Sequence, residues 1–141
     1  MYWMLLPLRR YFDFSGRSRP KEYWMFFLFV ILASIVAAIV DLMLGFGTTS
    51  YSAEYMPNGF WATADYAGTG PVQILVLLAI LIPTLSVGVR RLHDSDRTGW
   101  WLLIGLIPLI GAVVLLVFMI ISGTRGPNRF GPDPVETPAA A

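Results

Sequence analysis

The sequence predicts an all-α integral membrane protein with three transmembrane helices preceded by an N-terminal interfacial segment. Of its 141 residues, 56% are hydrophobic and only 13% are charged, and the mean hydropathy is +0.65. Globular domains carry about 25% charged residues, so this chain has too little polar material to cover a soluble fold. The composition also excludes a disordered chain, because such chains are poor in apolar residues.

Residues 1–22 are predicted to form an interfacial, cytoplasmic segment that precedes the membrane domain. Apolar and aromatic residues lie ahead of Arg9 and Arg10. This order is the reverse of that in a signal peptide, where the basic residues come first. It favours a segment that lies on the membrane surface.

Three long apolar runs predict the spans, at residues 23–44, 71–89 and 100–121. At 1.5 Å per residue these runs are about 28–33 Å long, which matches the hydrocarbon core of a bilayer. Lipid offers no partner for backbone polar groups, so each run is predicted to be a helix. Residues 23–134 would form one three-span domain, and residues 135–141 are predicted to be a disordered tail.

The basic residues predict the orientation of the spans. Eight of the ten precede the first span or lie between the second and third, two follow the third, and residues 45–70 contain none. With three spans, the positive-inside rule places the N-terminus in the cytoplasm and the tail outside.

Asp41 is an acidic residue near the predicted outer end of the first span. A carboxylate at that depth requires a partner or water. We expect Arg125 or Arg129 of the external tail to lie near Asp41; the alternative is contact with interfacial water.

Charged and aromatic residues flank the spans on the predicted inner side. One interpretation is topological, with arginines holding the loops in the cytoplasm and aromatic rings setting the depth. The other is recognition of an anionic headgroup or a lipid-linked phosphate, which arginine can bind through two parallel hydrogen bonds. If the second helix continues past residue 89, Asp94 lies between Arg90 and Arg97 on one helix face. The candidate binding residues are Arg17, Arg19, Lys21, Arg90, Arg91, His93, Asp94 and Arg97, and the interfacial anchors are Tyr23, Trp24, Trp100 and Trp101.

Neither a metal site nor a cofactor site is expected from the residue types. The chain has no cysteine, its one histidine is His93, and its net charge of +1 argues against binding to nucleic acid. No nucleophile is arranged beside His93, so we expect no catalytic residue and no enzymatic activity.

Three motifs occur in order along the chain: F-S-G-R-S-R-P-K-E-Y-W at 14–24, R-R-L-H-D at 90–94, and a Gly/Pro motif at 126–134 that ends in N-R-F-G-P-D-P. In these motifs the sequence resembles the bacterial family catalogued as domain of unknown function 805. The resemblance covers about residues 11–134 and implies a small multi-pass protein of the bacterial inner membrane, of unestablished activity. Residues 45–70 are less typical of the family.

The function expected from these features is structural or membrane-associated. The inner-face cluster of Arg, His, Asp and Trp would contact anionic lipid headgroups, a second copy of the chain or another membrane protein. Two alternatives belong to other classes: a component of an oligomeric carrier or channel, and an enzyme acting on a lipid-linked phosphate. A carrier requires oligomers, because three helices are too few for a solute path.

Overall fold

The computed structural model describes residues 2–46, 49–56, 59–66 and 69–136. In chain order its elements are α1 (Tyr2–Arg9), α2 (Pro20–Met43), β1 (Thr49–Met56), β2 (Gly59–Tyr66), α3 (Pro71–Asp94), a 3₁₀ helix (Gly99–Leu106) and α4 (Ile110–Ile120). These elements belong to two compact units, one formed by residues 1–30 and 80–141 and the other by residues 31–79.

Helices α2 and α3 contain the first two predicted spans. Each has 24 residues and is long and apolar enough to cross a membrane. At 1.5 Å per residue each is about 36 Å long, which exceeds the roughly 30 Å of a hydrocarbon core. Helix α2 begins at Pro20 with Glu22 in its first turn, a combination that suits a helix N-terminus.

The unit of residues 31–79 contains a β-hairpin that the prediction of an all-α chain missed. Strands β1 and β2 pair antiparallel, from Thr49 opposite Tyr66 to Met56 opposite Gly59. The strand sequences are rich in tyrosine, phenylalanine, tryptophan and threonine, residue types that favour strands. Hydropathy did not predict the hairpin, because its segment is too polar to be recognised as a membrane span and too short to be recognised as a separate domain.

Asp41 caps helix α3 instead of pairing with an arginine. Its carboxylate is buried and accepts hydrogen bonds from the backbone N–H groups of Val72 at 3.0 Å and Gln73 at 2.8 Å. Gly70 leaves room for this carboxylate, since a Cβ atom at position 70 would overlap it. The predicted pairing of Asp41 with a tail arginine was therefore wrong. The first-turn amides of α3 are its partners instead, because these amides have no acceptor within their own helix.

The third apolar run forms two short helices, and a continuous third span is not confirmed. The 3₁₀ helix contains 8 residues and α4 contains 11. Between them Pro108 carries no N–H group, and Leu109 has a positive φ of 63°. A proline followed by a residue in this conformation ends a helix, so the chain turns where the hydropathy pattern predicts a kinked span.

The 3₁₀ helix and α4 pack antiparallel against each other. At their open end the ring centroids of Trp101 and Phe118 are 5.5 Å apart. Near the turn a Cβ atom added to Gly105 would reach the side chain of Leu115 at 2.9 Å. Gly111 lies directly against the backbone of Ile104. Small residues thus allow the close approach of the two helices.

We predict that the Gly111→Ala substitution separates the two helices, because the new methyl group would meet the rigid carbonyl of Ile104. The expected loss of stability is about 1–3 kcal/mol, as is typical of overpacking. Thermal unfolding in detergent, followed by circular dichroism, measures it. Gly105→Ala is the matched control, since its methyl group meets only the movable side chain of Leu115. Equal unfolding midpoints for the two variants would contradict this packing.

Candidate functional site

A buried carboxylate lies between two buried arginines at the end of α3. Arg17 donates from Nε to one oxygen of Asp94 at 3.0 Å, and Arg91 donates from Nη1 to the other oxygen at 2.7 Å. The three side chains are 1%, 0% and 4% exposed for Arg17, Arg91 and Asp94, respectively. The predicted placement of Asp94 between its helix-face neighbours Arg90 and Arg97 was therefore wrong, because Arg17 and Arg91 are its partners and Arg90 pairs with Glu22.

Backbone carbonyls from the C-terminal segment accept the remaining hydrogen bonds of the two arginines. Arg17 donates to Gly126 O at 2.6 Å and also to Thr124 O. Arg91 donates to Met119 O at 3.3 Å and also to Ile121 O. Because two positive charges share one carboxylate, these carbonyl dipoles offset part of the cost of desolvating the second guanidinium.

Arg90 forms a second buried ion pair, with Glu22 in the first turn of α2. The distance from Arg90 Nη1 to Glu22 Oε1 is 2.9 Å, and the two side chains are 0% and 4% exposed. The backbone carbonyl of Arg90 accepts a hydrogen bond from Ser18 N–H at 3.0 Å. The last turns of α3 therefore hold the loop before α2 through side chains and backbone together.

The segment after α4 forms hydrogen bonds with the same end of α3. Thr124 N–H donates to Asp94 O at 2.8 Å, and Asn128 Nδ2 donates to His93 O at 2.9 Å. Further along, Asp133 accepts the N–H groups of Val135 at 2.8 Å and Gly126 at 3.0 Å. The bond from Val135 is the largest influence on the pKa of Asp133 and, with the bond from Gly126, lowers it below its usual value despite partial desolvation.

The ring of His93 contacts both the segment after α4 and the loop before α2. The imidazole stacks on Phe130, with ring centroids 3.9 Å apart and an interplanar angle of 4°. Its Nδ1 atom lies 3.1 Å from Gly16 O in the loop before α2. His93 thus contacts both the loop and the tail, which is a structural role.

The structure separates the predicted binding residues into two groups. Arg17, Arg90, Arg91 and Asp94 are buried and engage one another, Glu22 or the tail. Lys21 is exposed, whereas Arg19 is half-buried, lies with its Cζ atom 4.7 Å from the ring centroid of Trp3 and donates to Pro134 O in the tail. The prediction that these residues contact headgroups stays a prediction, and among the six only Lys21 is exposed.

The other predicted residues lie around the start of the 3₁₀ helix and of α2. Arg97 lies with its Cζ atom 4.2 Å from the ring centroid of Phe118. Trp100 and Trp101 are 78% and 44% exposed, and the rings of Tyr23 and Trp24 meet edge to face. The exposed indoles have the amphipathic character expected at a membrane interface.

A cleft of about 450 Å³ opens beside the network. Its polar lining consists of Arg17, Asp94, Arg125, Asp133 and Glu136, together with the backbone of residues 122–124. Among the residues that the structure describes, no three histidine or carboxylate groups are arranged to hold a metal ion. The chemistry available in the cleft is therefore that of paired charges and carbonyl dipoles.

Comparison with known proteins identifies the family. The family model described as a protein of unknown function, DUF805, matches residues 11–132. The chain belongs to this family. It is 41% identical to the inner membrane protein YhaH of Escherichia coli over 138 residues, which cover 98% of this chain and 100% of that protein. It is 40% identical to the inner membrane protein YhaI of the same organism, over 95% of this chain and 96% of that protein. No solved structure matches the chain significantly.

Sequence reasoning missed the contribution of the tail to this site. Thr124, Asn128 and Phe130 were not among the predicted site residues, because a third full span would carry them to the opposite side of the membrane. The available signal was Arg125 and Arg129, two basic residues that a third span would place outside, against the positive-inside rule.

We predict that Asp94→Asn strongly destabilises the protein, because it leaves the buried guanidinium groups of Arg17 and Arg91 without a counter-charge. The expected loss is roughly 3–5 kcal/mol, measured as a lowered thermal unfolding midpoint in detergent. Asp96→Asn is the matched control: the Asp96 pair with Arg129, at 3.0 Å, is about half exposed, so its loss should cost no more than about 1 kcal/mol. Similar effects for the two variants would refute a central role for Asp94.

Proposed function

We propose that the chain is a small integral protein of the bacterial inner membrane that crosses the bilayer twice, through α2 and α3. Two observations support this proposal. Both helices have the length and apolar composition of a span. Moreover, the relatives YhaH and YhaI, which match nearly the whole chain, carry the name inner membrane protein.

In this proposal the third apolar segment is a re-entrant hairpin that enters and leaves the bilayer on one side. The 3₁₀ helix and α4 are each about 16–17 Å long, roughly half the hydrocarbon thickness. Gly99, at the start of the hairpin, contacts Val89 of α3, and Thr124, after its end, hydrogen-bonds Asp94 at the end of α3. The beginning and the end of the segment therefore lie at the same end of the same helix.

The charge distribution supports the same topology. The chain has ten Lys and Arg residues, none of them within residues 45–70. If the third segment is re-entrant, all ten lie on one side of the membrane. The positive-inside rule then assigns that side, with both termini, to the cytoplasm. In a three-span arrangement the tail arginines are an exception to the positive-inside rule, whereas with a re-entrant hairpin they follow it.

We predict that reporters fused to the N-terminus and to the C-terminus both report the cytoplasm. A fluorescent protein that folds only in the cytoplasm and alkaline phosphatase, which is active only outside it, provide opposite readouts at each end. A reporter inserted within residues 45–70 is the control for the other side. Alkaline phosphatase activity at the C-terminus would contradict the re-entrant hairpin and restore three spans.

The function that the geometry supports best is non-enzymatic contact with anionic lipid at the cytoplasmic surface. The observation that carries it is the basic N-terminal surface, defined here as Arg19 and Lys21 beside Trp3 together with Arg9 at the end of α1. Arg9 and Lys21 are exposed, and the Trp3 ring centroid lies 4.7 Å from Arg19 Cζ and 5.9 Å from Lys21 Nζ. Basic residues beside an interfacial aromatic ring attract anionic headgroups, by about 1 kcal/mol each.

We predict that the double variant Arg9→Gln/Lys21→Gln loses about 2 kcal/mol of interaction with anionic lipid. The measurement is the rise in thermal unfolding midpoint when phosphatidylglycerol or cardiolipin is added to the protein in neutral detergent. Arg129→Gln is the control, because that exposed arginine is paired with Asp96 and lies outside the basic N-terminal surface. Stabilisation of the double variant equal to that of the unmodified protein would reject this surface as the lipid contact.

A further inference from the structure

The cleft beside Asp94 contains two opposite charges that are not paired with each other. Arg125 and Glu136 both line it. Within residues 2–46 and 69–136, neither side chain has a hydrogen bond or an ion pair. The other charged groups of the cleft are engaged: Arg17 pairs with Asp94, and Asp133 accepts two backbone N–H groups. A guanidinium and a carboxylate that have no partner within these described ranges thus border the same space of about 450 Å³.

The backbone on either side of Arg125 is held in place by the buried network. Gly123 lies so close to the Asp94 carboxylate that a Cβ atom would overlap it. The carbonyls of Thr124 and Gly126 accept hydrogen bonds from Arg17, whose side chain is 1% exposed. The cleft is therefore preformed, and its volume lies within the range of small-ligand sites, about 300–1,000 Å³.

The charges select the chemistry of a ligand. A phosphate group alone would satisfy Arg125 but would also lie near the carboxylates of Asp133 and Glu136. A simple amine would satisfy Glu136 but would be repelled by Arg125. A ligand with both groups satisfies both charges at once, since arginine binds phosphate bidentately and a carboxylate accepts from an ammonium group.

We propose that this cleft binds a ligand carrying a phosphate ester and a protonated amine, with phosphate on Arg125 and amine on Glu136, as in phosphoethanolamine. Such a group occurs free or as the headgroup of phosphatidylethanolamine. The cleft also borders Pro20, the first residue of α2. Binding of the headgroup of phosphatidylethanolamine rests on the proposed membrane function, whereas binding of free phosphoethanolamine does not.

The experiment compares ligand binding by the full chain in neutral detergent, using native mass spectrometry. The probes are phosphatidylethanolamine, phosphatidylglycerol and soluble phosphoethanolamine. The unmodified chain should retain phosphatidylethanolamine at least fivefold better than phosphatidylglycerol. Arg125→Gln should lower this retention at least fivefold, and Glu136→Gln should abolish the preference between the two lipids. Arg129→Gln is the control, because this exposed arginine pairs with Asp96, lies outside both the cleft and the basic N-terminal surface, and should leave the preference unchanged.

Each outcome bears on the proposal. Competition by soluble phosphoethanolamine supports headgroup recognition, and binding of the soluble compound without retention of the lipid supports the same cleft with a free ligand. Equal retention of the two lipids, no binding of soluble phosphoethanolamine and no effect of either cleft variant would overturn it. Both cleft residues are exposed, so unchanged unfolding midpoints should accompany the binding losses. The lipid test with Arg9 and Lys21 is separate, because it concerns phosphatidylglycerol and residues outside the cleft.

Discussion

The carboxylate of Asp94, held between the guanidinium groups of Arg17 and Arg91, is the interaction on which the described part of the unit of residues 1–30 and 80–141 depends. It joins the loop before α2 to the last turn of α3. The same two arginines bind carbonyls at the end of α4 and after it. Removing any one of these segments would leave a buried charge without its partners, which costs far more than the loss of an exposed ion pair.

This dependence explains why a chain with so few charged residues buries several of them. Burial of Arg90 against Glu22 and of Arg17 and Arg91 against Asp94 gains little free energy over an apolar core. The arrangement is, however, satisfied only when the loop, the helix end and the tail meet in one geometry. In the cleft, the same network fixes the backbone on either side of Arg125. Specificity of assembly and preorganisation of the cleft thus have one physical origin.

The third apolar segment illustrates the limit of a hydropathy argument. Residues 100–121 have the length and composition of a span, and that pattern is the same whether the chain continues or turns back at its middle. Pro108 indicated an interruption, but a kink and a reversal both begin with a proline. The contacts of Gly111 with Ile104 and of Trp101 with Phe118 distinguish them. The prediction of a continuous third span placed the tail on the outer side of the membrane. That placement led to the incorrect prediction that a tail arginine lies near Asp41.

The sequence by itself determined the apolar character and approximate position of α2 and α3 and the family of the chain, because hydropathy and ordered motifs are local properties, whereas α3 continues five residues past its predicted end. It placed Asp94 between arginines but named Arg90 and Arg97. Only the tertiary structure decided that Arg17 and Arg91 flank Asp94, that β1 and β2 pair antiparallel, and that the tail lies on the end of α3. Those features depend on contacts between residues far apart in the sequence, 77 positions for Arg17 and Asp94 and 109 positions for Arg17 and Gly126. Such contacts form only when the chain reverses direction, and hydropathy carries no information about direction.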